Sequence, residues 1–170
     1  MVKHWTEASL KEYLSKLTVI VDSKEKVNIH ILTYFDSKNI PYKVRNLETG
    51  DYSAMIDDMT FEHDFFIERK ANLTEICGNF TQTRERFERE FLRAKADHAK
   101  PYLLIEDSTV DDIYLGDYRS KVKPKSLIAS FLTWQTRFNA TIMFCSKQNS
   151  GRLIYGILYY AAREQLLNGR

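Results

Sequence analysis

The chain has 170 residues, 44% of them hydrophobic and 28% charged. That supplies one domain with a substantial core and excludes a disordered, charge-dominated segment. No apolar run reaches the length of a membrane span, and the N-terminus lacks a basic-then-apolar signal layout, so a soluble, cytoplasmic protein without membrane contact is expected. A net charge of only +2 excludes a global positive field, so a nucleic-acid partner would have to meet a local patch.

In chain order, Thr6 is placed to cap a first helix carrying Leu10, Leu14 and Leu17. Thr18 to Val21 is β-branched and apolar, a buried strand that ends on Asp22. An unpaired buried carboxylate is costly, so Asp22 belongs at the exposed mouth of that strand or against a cation. Ser23 to Lys26 is a charged turn into a helix with Val27, Ile31, Tyr34 and Phe35 on one face, closed before Asn39 and Pro41. Tyr42 to Leu47 reads as a second strand leading to Gly50-Asp51.

Next comes a hairpin: Tyr52 to Ile56, a turn near Asp57-Asp58-Met59, then Phe61 to Lys70. Alternation puts Tyr52, Ala54, Ile56, Phe61, Phe65 and Ile67 on an apolar face, and gathers Asp51, Glu68 and Lys70 on the other. Beyond it, Ala71 to Phe80 reads as a short helix closed by Gly78-Asn79. A longer helix from Thr83 to His98 packs Phe87, Phe91 and Ala94. Its Arg84, Arg86, Arg89 and Arg93 could follow a phosphate backbone, but neighbouring glutamates favour a salt-bridged solvated face. Pro101 to Ile105 is a central strand covered on both sides, ending on Glu106-Asp107. Ser108 to Lys123 reads as an irregular connection. Pro124 opens a helix with Leu127, Ile128, Phe131 and Trp134, Thr141 to Cys145 is a last strand, and an amphipathic helix fills about 151–167. The alternation of strands and helices gives the α/β class, a mixed sheet flanked by helices in a single domain over 1–170.

Asp22, Asp51 and Glu68 could meet at the strand ends, where hard carboxylate oxygens suit Mg²⁺ or Mn²⁺. Lys70, one pleat from Glu68, could orient or deprotonate a metal-bound water or offset charge on a phosphate. The residues alone leave a metal site and a solvated sheet face equally open. Cys77 and Cys145 have no ligand spacing and read as free thiols, and His4, His30, His63 and His98 show none either.

Val19-Ile20-Val21-Asp22-Ser23-Lys24-Glu25, Gly50-Asp51-Tyr52, Ile67-Glu68-Arg69-Lys70 and Lys100 to Glu106, in that order, resemble the nuclease domain of the XPF family, structure-selective endonucleases of the restriction-endonuclease-like superfamily. The resemblance covers a motif core of about 17–146. It implies a metal-dependent DNA endonuclease with Asp22, Asp51 and Glu68 as metal ligands and Lys70 as the catalytic lysine. Glu25 and Arg69 match positions needed for activity. Alternation sets Arg69 on the face opposite Lys70, which favours a structural ion pair to Glu25 or Glu75. The resemblance also implies branched or flap DNA as substrate, paired nuclease domains in a homodimer, and a repair or recombination role that suits a phage or prokaryotic setting. Lys24 and Thr74 depart from the family, which has Arg and Asp at those positions. The alternatives are a Holliday-junction resolvase or restriction-type nuclease, or an inactive DNA-binding partner subunit of the same fold.

Overall fold

The structure, a computed structural model, describes residues 5–168; His4 lies outside them. At its centre is a seven-stranded mixed sheet. Strand β1 (Thr18–Asp22) pairs in parallel with β2 (Tyr42–Arg45) and antiparallel with β3 (Tyr52–Ile56). Strand β3 carries the short β4 (Met59–Thr60) and also pairs antiparallel with β5 (Phe65–Lys70). Parallel strands β6 (Lys100–Glu106) and β7 (Thr141–Cys145) complete the order β2-β1-β3-β5-β6-β7, with β4 off that path.

Helices cover both faces. On one side α1 (Glu7–Leu14), α2 (Ile29–Ser37) and α7 (Ser150–Leu167) meet the apolar side chains of β1, β3 and β5. The other side is an aromatic core of Phe80, Phe87, Phe91, Phe131, Trp134 and Phe138. It is contributed by α3 (Leu73–Thr81), α4 (Arg84–Ala96) and α6 (Pro124–Phe138), with α5 (Val110–Leu115) at its rim. Strand β6 shows why its run is continuously apolar: Leu104 enters the first core while Leu103 and Ile105 enter the second. Thr6 caps α1 as its sequence indicates, accepting the Ser9 N–H while the Ser9 hydroxyl accepts that of Thr6.

Five local expectations are corrected. The strand read from Phe61 to Lys70 is broken, because β4 ends at Thr60 and a turn centred on Phe61–Asp64 precedes β5. The apolar face survives this break, since Phe61 and Phe65 stack at 5.4 Å inside the first core. Val27 lies outside α2 and is exposed, because the helix starts only at Ile29. Strand β2 stops at Arg45, and α3 runs past Gly78 to Thr81. Finally, Ser108 to Lys123 contains α5, started by a Thr109–Asp112 capping box and stopped by Gly116 in the left-handed conformation. Six residues are too few to display a helical period, which is why the caps were its only signal.

Candidate active site

The chain turns into the site at Gly50, whose φ of +77° is left-handed. A Cβ there would lie 2.4 Å from the Phe66 ring, so only glycine fits. Asp51 follows, locked three ways: its N–H donates to the Ile67 carbonyl at 2.8 Å, its carbonyl accepts the Asp22 N–H at 2.8 Å, and carboxylate Oδ2 accepts the Arg69 N–H at 2.7 Å. Tyr52 and Ile67 are the register pair of β3 and β5. Where the strands part beyond it, the Asp51 side chain supplies the acceptor that Arg69 would otherwise lack. The carboxylate is thereby held beside β5.

Glu68 and Lys70 project together from β5, as residues two apart in a strand must. Both are buried, contrary to a solvated sheet face, because α4 lies over them. Lys70 Nζ donates to Glu68 Oε1 at 2.7 Å and approaches Glu75 Oε1 at 3.6 Å. The Phe87 ring lies 5.3 Å from the ammonium. Around them is a cavity of about 160 Å³, walled also by Asn79, Thr83, Arg86 and Glu90. Of these four wall residues, sequence alone gives a functional reading only to Arg86, as a candidate phosphate contact. Glu90 could also be singled out, since it falls three residues after the buried Phe87 and so shares its side of the helix.

Electrostatics set the site apart. Burial, then the neighbouring Glu68 carboxylate, push the Asp51 carboxyl well above its ordinary range, against the pull of Lys70 and the Arg69 N–H. Burial works against the Lys70 charge, but Glu68 and Asp51 outweigh it and hold the ammonium above its ordinary value. Glu90 is raised by burial and then by Glu68. An acid driven towards neutrality by an adjacent acid is what a divalent cation relieves. Mg²⁺ uses one or two carboxylates and completes its shell with water and substrate phosphate oxygens. The Asp51–Glu68 pair fits such an ion.

Asp22 does not join them. Its Oδ1 accepts the Leu47 N–H at 3.0 Å, so it ties the segment after β2 to the end of β1. Among the described residues no three Asp, Glu, His or Cys side chains gather as a metal-holding group. Of the three carboxylates expected to converge, the structure thus brings Asp51 and Glu68 together. A strand-terminal carboxylate beside an otherwise orphaned backbone donor is satisfied by it.

Arg69 points away from the cavity, as alternation requires. Its Nη1 donates to Glu25 Oε1 at 3.1 Å and its Nη2 to Glu106 Oε2 at 2.7 Å. The ion pair to Glu25 is thus present, while Glu75, the other partner considered, lies by Lys70 instead. Glu106 is fully buried and also lies 2.9 Å from His30 Nε2. Burial pushes its carboxyl up, but Arg69, His30 and Ser150 outweigh that and hold it below the usual range. Of the departures from the family pattern, Lys24 is exposed, and the Thr74 hydroxyl accepts the Arg119 N–H at 3.0 Å.

An acidic pair and a lysine thus lie at the ends of central strands in a helix-flanked mixed sheet. A family model described as the ERCC4 domain matches residues 21–157, and the chain belongs to that family. Solved structures agree on the fold. XPF from Aeropyrum pernix superposes with a TM-score of 0.66 at 16% identity, over 86% of this chain and 65% of that one. The same protein in complex with DNA gives 0.64 at 16% identity, over 86% and 66%. This chain thus spans just under two-thirds of the XPF chains it matches. No curated protein sequence matches it. Among the described residues no helix is long and apolar enough to cross a membrane.

Proposed function

We propose that this chain is a divalent-metal-dependent DNA endonuclease acting on branched or flap duplexes in repair or recombination. The observation that carries the reading is the Asp51–Glu68–Lys70 constellation, a buried acidic pair with a charged lysine at 2.7 Å in an open cavity. A domain that gained nothing from this charge cluster would be more stable without it. Membership of the ERCC4 domain family and a DNA complex of the similarly folded XPF support DNA as the partner.

Asp51 and Glu68 would hold Mg²⁺ or Mn²⁺, which when bound polarises the phosphodiester and lowers the pKa of its water. Lys70 stays an ammonium next to two carboxylates, so its part is to offset charge on the attacked phosphate rather than to act as a free base. Arg69, clamped by Glu25 and Glu106, holds β5 so that Glu68 and Lys70 face the cavity. Asp22 and the Leu47 N–H it holds shape the neighbouring loop. We propose further that the nuclease pairs as a homodimer. The support is apolar surface left uncovered: Tyr160 and Leu167 of α7, and Tyr114, Leu115 and Leu132 on the packed pair α5 and α6.

The test is a panel of end-labelled DNAs (duplex, single strand, flap, fork and four-way junction) incubated with Mg²⁺ or Mn²⁺ and with excess EDTA. Metal-dependent cuts near the branch of flaps or forks are expected. Preference for four-way junctions would indicate a resolvase, cutting of plain duplex a restriction-type enzyme, and undiminished cleavage in EDTA would overturn the metal-dependent reading.

A further inference from the structure

The arginines of α4 form only in part the salt-bridged face that their spacing suggests. Arg86 approaches Glu90 only to 3.9 Å, and Glu88 turns instead to Arg137 of α6. Among the described residues Arg89 has no ion-pair partner, and the Arg84 guanidinium lies over the Trp134 ring at 5.2 Å. All three of Arg84, Arg86 and Arg89 are exposed. They line one groove of about 500 Å³ along the start of α4, with Thr83, Gln82 and Glu85. Thr83 and Arg86 also wall the cavity that holds Glu68 and Lys70, so groove and cavity are continuous.

Three arginines against Glu85 leave two positive charges in excess in this groove, as many as the whole chain carries. We propose that it takes the phosphate backbone of a duplex arm beside the cleavage point, with Arg86 and Arg89 as the principal contacts. This rests on the nuclease reading and adds where its substrate lies. Arginine forks match phosphate oxygens. Residues three apart on a helix are surface neighbours, so Arg86 and Arg89 present adjacent forks along one line. The groove lining is threonine, glutamine, arginine and glutamate, with no aromatic ring. Sequence-tolerant binding of single strands relies on aromatic stacking platforms, which are missing here. Contact to phosphates alone suits a duplex, whose bases are already stacked.

The test is fluorescence anisotropy in EDTA with labelled duplex, single strand and fork of equal length, across a salt series. The proteins are the parent, Arg86→Ala/Arg89→Ala, Arg86→Lys/Arg89→Lys, and a control, Lys11→Ala/Lys38→Ala, with equal charge loss on the opposite face of the sheet. Circular dichroism confirms folding of each. The alanine pair should weaken duplex and fork binding by at least about tenfold near 0.1 M salt. Its slope of log affinity against log salt should flatten by about 1.8, at about 0.9 per lost phosphate contact. The lysine pair should keep the slope and the control should match the parent. Parent-like binding by the alanine pair overturns the proposal, as does a loss confined to single strand or an equal loss in the control. A parent that binds no DNA overturns it too. A parent that cleaves while the alanine pair binds normally removes the groove but leaves the nuclease; arginine-dependent binding without any cleavage removes the nuclease and leaves the groove.

Discussion

The buried Asp51 carboxylate opposes stability, and the proposed metal site gives it a use. Its folded-state value lies above the unfolded one, so the stability it contributes is complete below about pH 3.9 and is lost as pH rises through the raised value. At pH 7 it is a net cost. Asp51→Asn should therefore melt higher than the parent at pH 7, at about 2–4 °C per kcal/mol recovered, and should lose cleavage. Mn²⁺ should raise the melting temperature of the parent but not of the variant. Scanning fluorimetry with and without Mn²⁺ checks this, and a variant that melts lower at pH 7 contradicts it. Glu106 has the opposite sign. Its folded-state value is depressed, so its stability is present at neutral pH and is lost as pH falls through that value. Glu106→Gln leaves the buried Arg69 guanidinium short of a charge and should cost about 3–5 kcal/mol in urea unfolding. A loss below about 1 kcal/mol, the scale of an exposed pair, would contradict the role assigned to this ion pair.

Helix α4 is the element that turns a polar sheet face into a site. Phe87 and Phe91 both anchor it in the aromatic core, with Phe87 against Trp134 at 5.9 Å and Phe91 against Phe66 at 6.2 Å. Of the two, only Phe87 lines the cavity that holds Glu68 and Lys70, with its ring beneath the ammonium. Phe87→Ala and Phe91→Ala should each cost about 3–5 kcal/mol. Measured at a temperature where both remain folded, cleavage should fall for Phe87→Ala and hold for Phe91→Ala; equal losses would contradict the role of the ring. At this scale the sequence was a good guide wherever a period recurs. Two-residue alternation placed Glu68 and Lys70 together and Arg69 opposite them, even though the strand read as continuous breaks at Phe61–Asp64. Three features had no local signature: Asp22 turning to Leu47, Arg69 reaching Glu106, and Glu88 of α4 turning to Arg137 and leaving Arg89 without an ion pair. Each depends on a neighbour that is close in space but distant or off-register in sequence. Glu90 was legible in part, because helical spacing fixes its side while only packing shows what it faces.

For the molecule as a whole, a second copy is the expected cover for the uncovered apolar surface. Light scattering at micromolar concentration should give the mass of a dimer, and Tyr160→Arg, changing a side chain 66% exposed on α7, should shift it to monomer without unfolding. A dimer lost on Leu115→Arg instead would place the contact on α5, and a parent of monomer mass with activity intact would contradict pairing.

The division of labour in the site is tested most directly by single-turnover cleavage of a labelled fork across a Mn²⁺ series, for the parent, Asp51→Asn and Lys70→Ala. The parent should saturate with metal and Asp51→Asn should not cleave at any concentration. Lys70→Ala removes the ammonium from between the carboxylates, so it should saturate at equal or lower Mn²⁺, with a plateau about a hundredfold or more below the parent. A Lys70→Ala plateau equal to that of the parent, or normal cleavage by Asp51→Asn, would contradict the account.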